Sequence, residues 1–184
     1  MKKVFVLLAM VLMIGSAWAE DMPQGEMQMP EMGPPKEMMS LESMVGKWSV
    51  DMKSRQMPEQ PWEESKGSVE CEYILGGSAV RQYYSGDMMG APFSGETTMC
   101  YNRQTKLWQV TWIDNMFAQM SYYEGHWDGD KFVASNREVW MGVEYLTRMT
   151  TFNITDKSYE WKMEMSMDDG KTWFSSMEAV YTKQ

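Results

Sequence analysis

The sequence predicts an all-β protein whose strands form an antiparallel meander closed into a barrel. From residue 46 onward, apolar and polar residues alternate with a period of two, which is typical of strands with one buried and one solvated face. Turn signals separate these runs about every ten to fifteen residues. No helical stretch after residue 46 is long enough to connect parallel strands. We therefore expect about ten strands between Gly46 and Thr182.

A closed wall is favoured over two stacked sheets. Many short strands with single apolar faces can bury those faces in either arrangement. Closure alone removes both unpaired sheet edges, which are a template for aggregation. The barrel is therefore the preferred architecture.

The first nineteen residues have the pattern of a secretory signal peptide. Lys2 and Lys3 are followed by the apolar stretch 4–14 and by the small-residue pattern Ala17-Trp18-Ala19, so cleavage is expected before Glu20. The alternative is an uncleaved anchor, but the apolar stretch is shorter than the roughly 20 residues that span a bilayer. We expect an exported protein, periplasmic or extracellular, with no membrane span after cleavage.

Residues 20–37 are predicted to form a disordered leader before a barrel domain at 38–184. The leader is rich in methionine, proline and glycine and lacks aromatic and β-branched residues. Because soft thioethers select Cu(I), one hypothesis is that the leader captures Cu(I) or Ag(I). The alternatives are compositional drift and oxidant scavenging, since methionine is frequent throughout the chain. The candidate ligands are Met22, Met27, Met29 and Met32.

A short helical turn is expected before the first strand. Met38, Leu41 and Val45 recur at spacings of three and four residues, and Gly46 is expected to end the turn. Trp48, at the start of the first strand, is predicted to plug that end of the barrel. Arg148 is a candidate to cover Trp48 by a cation–π contact.

The clearest strand is residues 159–167, where five large apolar groups alternate with four polar ones. Shorter alternating runs occupy residues 48–52, 69–73 and 108–112. Asp168-Asp169-Gly170 is predicted to be a hairpin turn, because the other ligands of an EF-hand calcium loop are missing.

Several motifs carry a resemblance to a known family. Gly46-Lys47-Trp48 is similar to the Gly-x-Trp opening of lipocalins and other calycins. Taken in order with the segments 72–77, 84–95, 100–102 and 112–114, it resembles the bacterial domain-of-unknown-function family DUF1579 over about residues 38–183. The resemblance implies a calycin-like barrel and implies no reaction or ligand.

The composition argues against several classes of function. A net charge of −9 and a pI of about 4.7 are opposite to the basic surface of nucleic-acid binders. His126 is the only histidine, so any catalytic triad or histidine-based metal site would need it. A solvated hairpin position is favoured for His126 over haem ligation. We expect a protein that is not an enzyme and needs no cofactor.

The two cysteines leave a disulfide open. An exported protein with two thiols often pairs them. If Cys71 and Cys100 lie on strands separated by one other strand, their backbones are roughly 9.6 Å apart, beyond the roughly 7 Å limit for a bridge. Free thiols are therefore favoured.

The leading functional hypothesis is a small apolar or amphipathic ligand bound inside the barrel. The loop 86–95 is the candidate entrance, because binding often lies on loops of rigid scaffolds. The inward residues have the alternative role of core filler. Another hypothesis is a protein-interaction module that uses the acidic outer wall, and the oligomeric state is not predicted. The candidate ligand-binding residues are Tyr73, Met88, Met89, Phe93, Tyr101, Trp112, Met163 and Met165.

Overall fold

The computed structural model describes residues 31–88, 90–117, 119–140 and 142–184, apart from the side chain of Trp140. Chain contacts separate residues 1–32 from a compact unit, Gly33–Gln184, and the fold below is that of the second unit. The predicted signal peptide and most of the predicted leader lie outside the described residues. Within the described residues, no helix has the length and apolar character needed to cross a membrane.

The compact unit is a closed barrel of ten antiparallel strands, as the alternating pattern predicts. Each strand pairs with its neighbours in the chain, and the first pairs with the last, so no sheet edge is left. The strands are β1 (Gly46–Ser54), β2 (Glu63–Ile74), β3 (Ala79–Met88), β4 (Ala91–Asn102), β5 (Leu107–Asp114), β6 (Ser121–Asp128), β7 (Lys131–Trp140), β8 (Val143–Phe152), β9 (Ser158–Ser166) and β10 (Phe174–Lys183).

The predicted helical turn is a 3-10 helix over Lys36–Met44, beginning two residues before the predicted domain boundary. Met38, Leu41 and Met44 are its buried residues. Their spacing of three matches the three residues per turn of a 3-10 helix. This geometry buries Met44 rather than Val45, which follows the helix as its C-cap.

Trp48 closes the helix end of the barrel, which confirms its predicted role as a plug. The side chain is fully buried at 0% exposure, and its Nε1 donates a 2.9 Å hydrogen bond to the Met44 carbonyl. Its ring meets Tyr159 edge to face, with centroids 4.8 Å apart. These contacts fix the helix over one end of the barrel.

The prediction that Arg148 covers Trp48 is wrong. Lys183 lies over the Trp48 ring instead, with Nζ 5.0 Å from the ring centroid. Odd positions of β8, such as the buried Thr147, face inward, so Arg148 points outward. There it stacks on Trp173, 4.3 Å from the ring centroid.

The loop predicted at 86–95 is mostly strand, so that prediction is corrected. Gly86 pairs with Phe93 and Met88 pairs with Ala91 in the β3–β4 ladder. Gly86, Pro92 and Gly95 all take part in this pairing, so they do not interrupt it. The inward and outward alternation of both strands therefore continues through the segment. The two paired strands therefore reach Met88 and Ala91, inside the predicted loop.

Both cysteines are free thiols, as favoured. Cys71 is buried on an inward position of β2, whereas Cys100 is half-buried on an outward position of β4 and contacts Gln109. The two side chains therefore lie on opposite faces of the wall as well as on strands that are not neighbours. Burial raises the pKa of Cys71 to about 11, which makes it a poor nucleophile.

Candidate ligand-binding site

The two ends of the barrel differ in how they are covered. Among the described residues, the helix covers the end at which β1 begins, and the strand connections border the opposite end. We call the inward-facing residues at this opposite end the barrel mouth. Several of them are only half-buried, so they remain accessible. The mouth includes Met88, Phe93, Trp112, Asp114, Ser121, Tyr123, Asn136, Glu138, Tyr145, Thr147, Met163, Met165 and Met177.

The structure brings five of the predicted ligand-binding residues together in the mouth. Met163 and Met165 lie on inward positions of β9, where Met165 pairs with Thr147 and Met163 pairs with Met177. The other three are Met88, Phe93 and Trp112, which lie on β3, β4 and β5. Met89, also a predicted residue, lies outside the described residues.

The remaining two predicted residues lie at the helix end. The Tyr73 hydroxyl donates a 2.8 Å hydrogen bond to the Met38 carbonyl of the helix. The Tyr101 ring packs edge to face on Trp108, with centroids 5.5 Å apart. The fold therefore separates Tyr73 and Tyr101 from the mouth by the length of the core.

One wall of the mouth is aromatic. Phe93 lies between the rings of Tyr84 and Trp112, at centroid distances of 5.8 and 6.1 Å. Trp112 donates from Nε1 to Asp114 Oδ2 at 2.9 Å. Gly95 leaves room for this ring, because a Cβ there would lie 2.3 Å from Cη2 of Trp112.

Next to the aromatic wall, across β6, β7 carries a carboxylate that faces into the barrel. Glu138 Oε2 accepts a 2.6 Å hydrogen bond from the Tyr145 hydroxyl, and Oε1 accepts one of 2.7 Å from Asn136 Nδ2. The Tyr123 hydroxyl lies 3.5 Å from Oε1. Thr147 donates to the Asn136 amide oxygen and so orients that amide. We call these five residues the Glu138 cluster.

The electrostatics of the cluster keep Glu138 ionised. Burial raises the pKa of Glu138, but hydrogen bonds from Ser121, Tyr145, Asn136 and Tyr123 lower it, and the net shift is downward from 4.5. Burial, together with the adjacent negative charge, raises the pKa of Tyr123 to about 12 and also raises the pKa of Tyr145. At neutral pH the cluster is therefore one anion held by neutral donors.

Sequence reasoning missed the Glu138 cluster, although a signal was present. In β7, Phe132 and Ala134 are buried and inward, and Asn136 and Glu138 continue the same alternate positions. Polar residues in an apolar register indicate an interior polar group. This signal needs the register of β7, which the sequence alone does not fix.

Exposed apolar side chains surround the mouth. They lie on the strand connections of this end or on the strand ends beside them, whereas the helix end exposes Leu75, at 78%, and Met39, at 71%. The side chains around the mouth are Met57, Met116, Phe117, Met120, Val139, Val143 and Met167, each 38–63% exposed. We call this set the apolar rim.

The other candidate residues lie apart from the mouth. His126 is exposed on the outer face of β6, as favoured, and borders both an outer groove of about 390 Å³ across β6 to β9 and a second one of about 320 Å³ beside the helix. No group of three or more His, Cys, Asp or Glu residues suited to a metal ion occurs among the described residues. Of the proposed Cu(I) ligands, Met32 is 83% exposed, and Met22, Met27 and Met29 lie outside the described residues. Copper capture stays a prediction.

The β9–β10 connection at the mouth is a hairpin turn, as predicted, organised by Asp168. Its Oδ1 accepts hydrogen bonds from the Ser166 hydroxyl at 2.9 Å and the Thr172 backbone N–H at 2.8 Å. Its Oδ2 accepts one of 2.7 Å from the Thr172 hydroxyl. Bonds from Thr172 are the main cause that lowers the pKa of Asp168 to about 2.

Replacing Asp168 with asparagine is therefore expected to remove an acid-sensitive part of the stability. A carboxyl whose pKa is depressed on folding stabilises the fold above its ordinary pKa of 3.8, and this contribution is lost as pH falls to about 2. In urea unfolding at pH 5, wild type should have a higher free energy of unfolding than Asp168→Asn. This difference should shrink as the pH is lowered towards 2. A difference that does not change over this range would contradict the role of the carboxylate.

A closed ten-stranded antiparallel barrel with a short helix over one end defines a calycin-like barrel. Within this class, the chain belongs to the protein family of unknown function DUF1579, whose sequence pattern matches residues 33–183. No curated protein matches the chain.

Two solved structures are similar to this barrel. Rv2717c from M. tuberculosis has a TM-score of 0.57 at 11% identity, covering 83% of this chain and 99% of that one. The S-type phycobiliprotein lyase CPES from Guillardia theta has a TM-score of 0.52 at 12% identity, covering 82% and 98%. At these identities the likeness establishes a shared fold.

Proposed function

We propose that this protein is an exported barrel that binds a small amphipathic ligand in its mouth without chemically changing it. The observation that carries the proposal is the composition of the mouth. Thioethers and aromatic rings from β4, β5 and β9 share one barrel end with the polar Glu138 cluster and with Asp114. Such a site, mostly apolar with a few converging polar groups, is typical of small-ligand binding.

The apolar rim supports the same proposal. Exposed methionine and valine side chains and one phenyl ring, beside a half-exposed interior, offer an apolar path from solvent to the mouth. Methionine suits this role because its flexible side chain adapts to differently shaped ligands. The signal pattern of residues 1–19 supports export.

The absence of chemistry is proposed from the residues of the mouth. A solved barrel of the same fold is named as a lyase, so the scaffold is compatible with enzymes. In the described part of the mouth, however, the charged groups are the carboxylates of Glu138 and Asp114, and the groups that bond to them are neutral donors. No described histidine, lysine or cysteine of the mouth stands ready to act as a nucleophile or proton carrier.

Titration with the neutral fluorophore N-phenyl-1-naphthylamine tests the proposal. We expect saturable one-site binding that 1-decanol competes away. Met165→Gln places an amide in the apolar wall and should weaken binding by about tenfold. Met39→Gln is the matched control, because Met39 is exposed at the helix end. This variant should bind the fluorophore with the affinity of wild type. Non-saturable binding, or equal loss in both variants, would reject the mouth as the site.

A further inference from the structure

Glu138 is an unusual group for the interior of a barrel. Removing a carboxylate from water is costly, and a cation offsets this cost more fully than neutral hydrogen-bond donors do. None of the ion pairs among the described residues includes Glu138. The groups that bond to Glu138 are an amide and hydroxyls, which share its charge without neutralising it.

The surroundings of Glu138 add negative potential. Asp114, on β5 at the same end, accepts from the Trp112 indole and from the Met116 and Phe117 backbone N–H groups, so it is also held by neutral donors. The described inward positions at this end carry no lysine, arginine or histidine. A net charge of −9 for the whole chain strengthens the same field.

The rest of the mouth suits a soft organic cation. The aromatic side chains of Trp112, Tyr123 and Tyr145 share the mouth with Glu138, and the negative faces of such rings attract alkylammonium groups. Ser121, whose hydroxyl helps to lower the pKa of Glu138, pairs with Trp112 across β5 and β6, so the indole lies beside the cluster. Met163 and Met165 supply apolar contact for an attached chain.

From this juxtaposition we propose that the ligand of the mouth is a cationic amphiphile, whose ammonium head contacts the Glu138 carboxylate while its apolar chain lies against Trp112, Met163 and Met165. This inference rests on the proposed function and specifies the ligand class of the same site. A cation would supply the charge partner that Glu138 lacks, and the aromatic rings would replace part of its hydration.

The experiment compares three probes with the same ten-carbon tail: decyltrimethylammonium, 1-decanol and decyl sulfate. Displacement of N-phenyl-1-naphthylamine is measured with the two ionic probes below their micelle concentrations and 1-decanol below its solubility limit, at high ionic strength, where exposed charges are screened. Wild type should bind the cation most tightly and the sulfate most weakly. Glu138→Gln should weaken cation binding by roughly tenfold or more and leave decanol binding within about twofold of wild type.

Glu144→Gln is the matched control. It removes the same charge from the outer wall of β8, where Glu144 is exposed and paired with Arg137 at 3.2 Å, and it should keep the cation preference. If Glu138→Gln does not fold, the head-group order of wild type decides. Equal affinity for the three probes, or a cation preference that survives Glu138→Gln, overturns the inference and leaves the proposed function standing. Failure of every probe to bind overturns both.

Discussion

Replacing Trp48 with alanine is expected to lower the free energy of unfolding by about 3–5 kcal/mol. Trp48 is fully buried, and its indole joins the helix to the barrel through the Met44 carbonyl and the Tyr159 ring. Alanine removes the indole volume and leaves that carbonyl without its donor. The substitution therefore opens a cavity where the helix closes the barrel.

Urea unfolding of Trp48→Ala measures this loss, with Trp62→Ala as its control. Trp62 lies outside the core, where Lys53 and Arg55 stack on its ring at 4.8 and 4.3 Å. Such exposed cation–π contacts contribute about 1 kcal/mol or less. Equal effects of the two substitutions would contradict the assignment of Trp48 as the plug of the helix end.

Replacing Gly95 with valine is expected to lower the free energy of unfolding by about 2–3 kcal/mol and to weaken binding of N-phenyl-1-naphthylamine. A Cβ at position 95 would lie 2.3 Å from Cη2 of Trp112 and 3.0 Å from the Ile113 carbonyl oxygen. The indole must leave its place, and the mouth changes shape with it. Stability and binding are thus linked at this position.

The control for Gly95→Val is Thr98→Val. Thr98 lies on the same strand but faces outward, and valine has nearly the same shape as threonine. Its stability should stay within about 0.5 kcal/mol of wild type, and its probe binding should be unchanged. Unchanged stability and binding in Gly95→Val would show that the ring of Trp112 has another place available.

The residues that the sequence predicted well are those whose position follows from a local repeat. The alternation of 159–165 places Met163 and Met165 inward, and the same period predicts the barrel as a whole. Trp48 follows from the junction of a helical turn and a strand. A period of two specifies which face a side chain occupies without knowledge of its partners.

The features that were missed depend on which strands are neighbours and on the position along each strand. Tyr73 shares the inward face with Met163 but lies at the other end of the barrel. The β1–β2 register pairs Cys71 with Gly46 at the start of β1, so Tyr73 lies beyond this pair, beside the helix. Glu138 becomes a site only because Tyr123 and Tyr145 come from the flanking strands. The segment 86–95 contains turn-forming residues, and pairing in the closed barrel outweighed their local preference.

The most direct test of the binding mouth is a methyl NMR titration of protein carrying ¹³C-methyl methionine. Addition of 1-decanol or decyltrimethylammonium should shift the methyl resonances of Met88, Met163 and Met165 with a common affinity, and should leave Met38 and Met44 under the helix unchanged. Assignment by single Met→Leu substitutions identifies each resonance. Saturable shifts confined to Met38 and Met44, or no saturable shift at the three mouth methionines, would contradict the account.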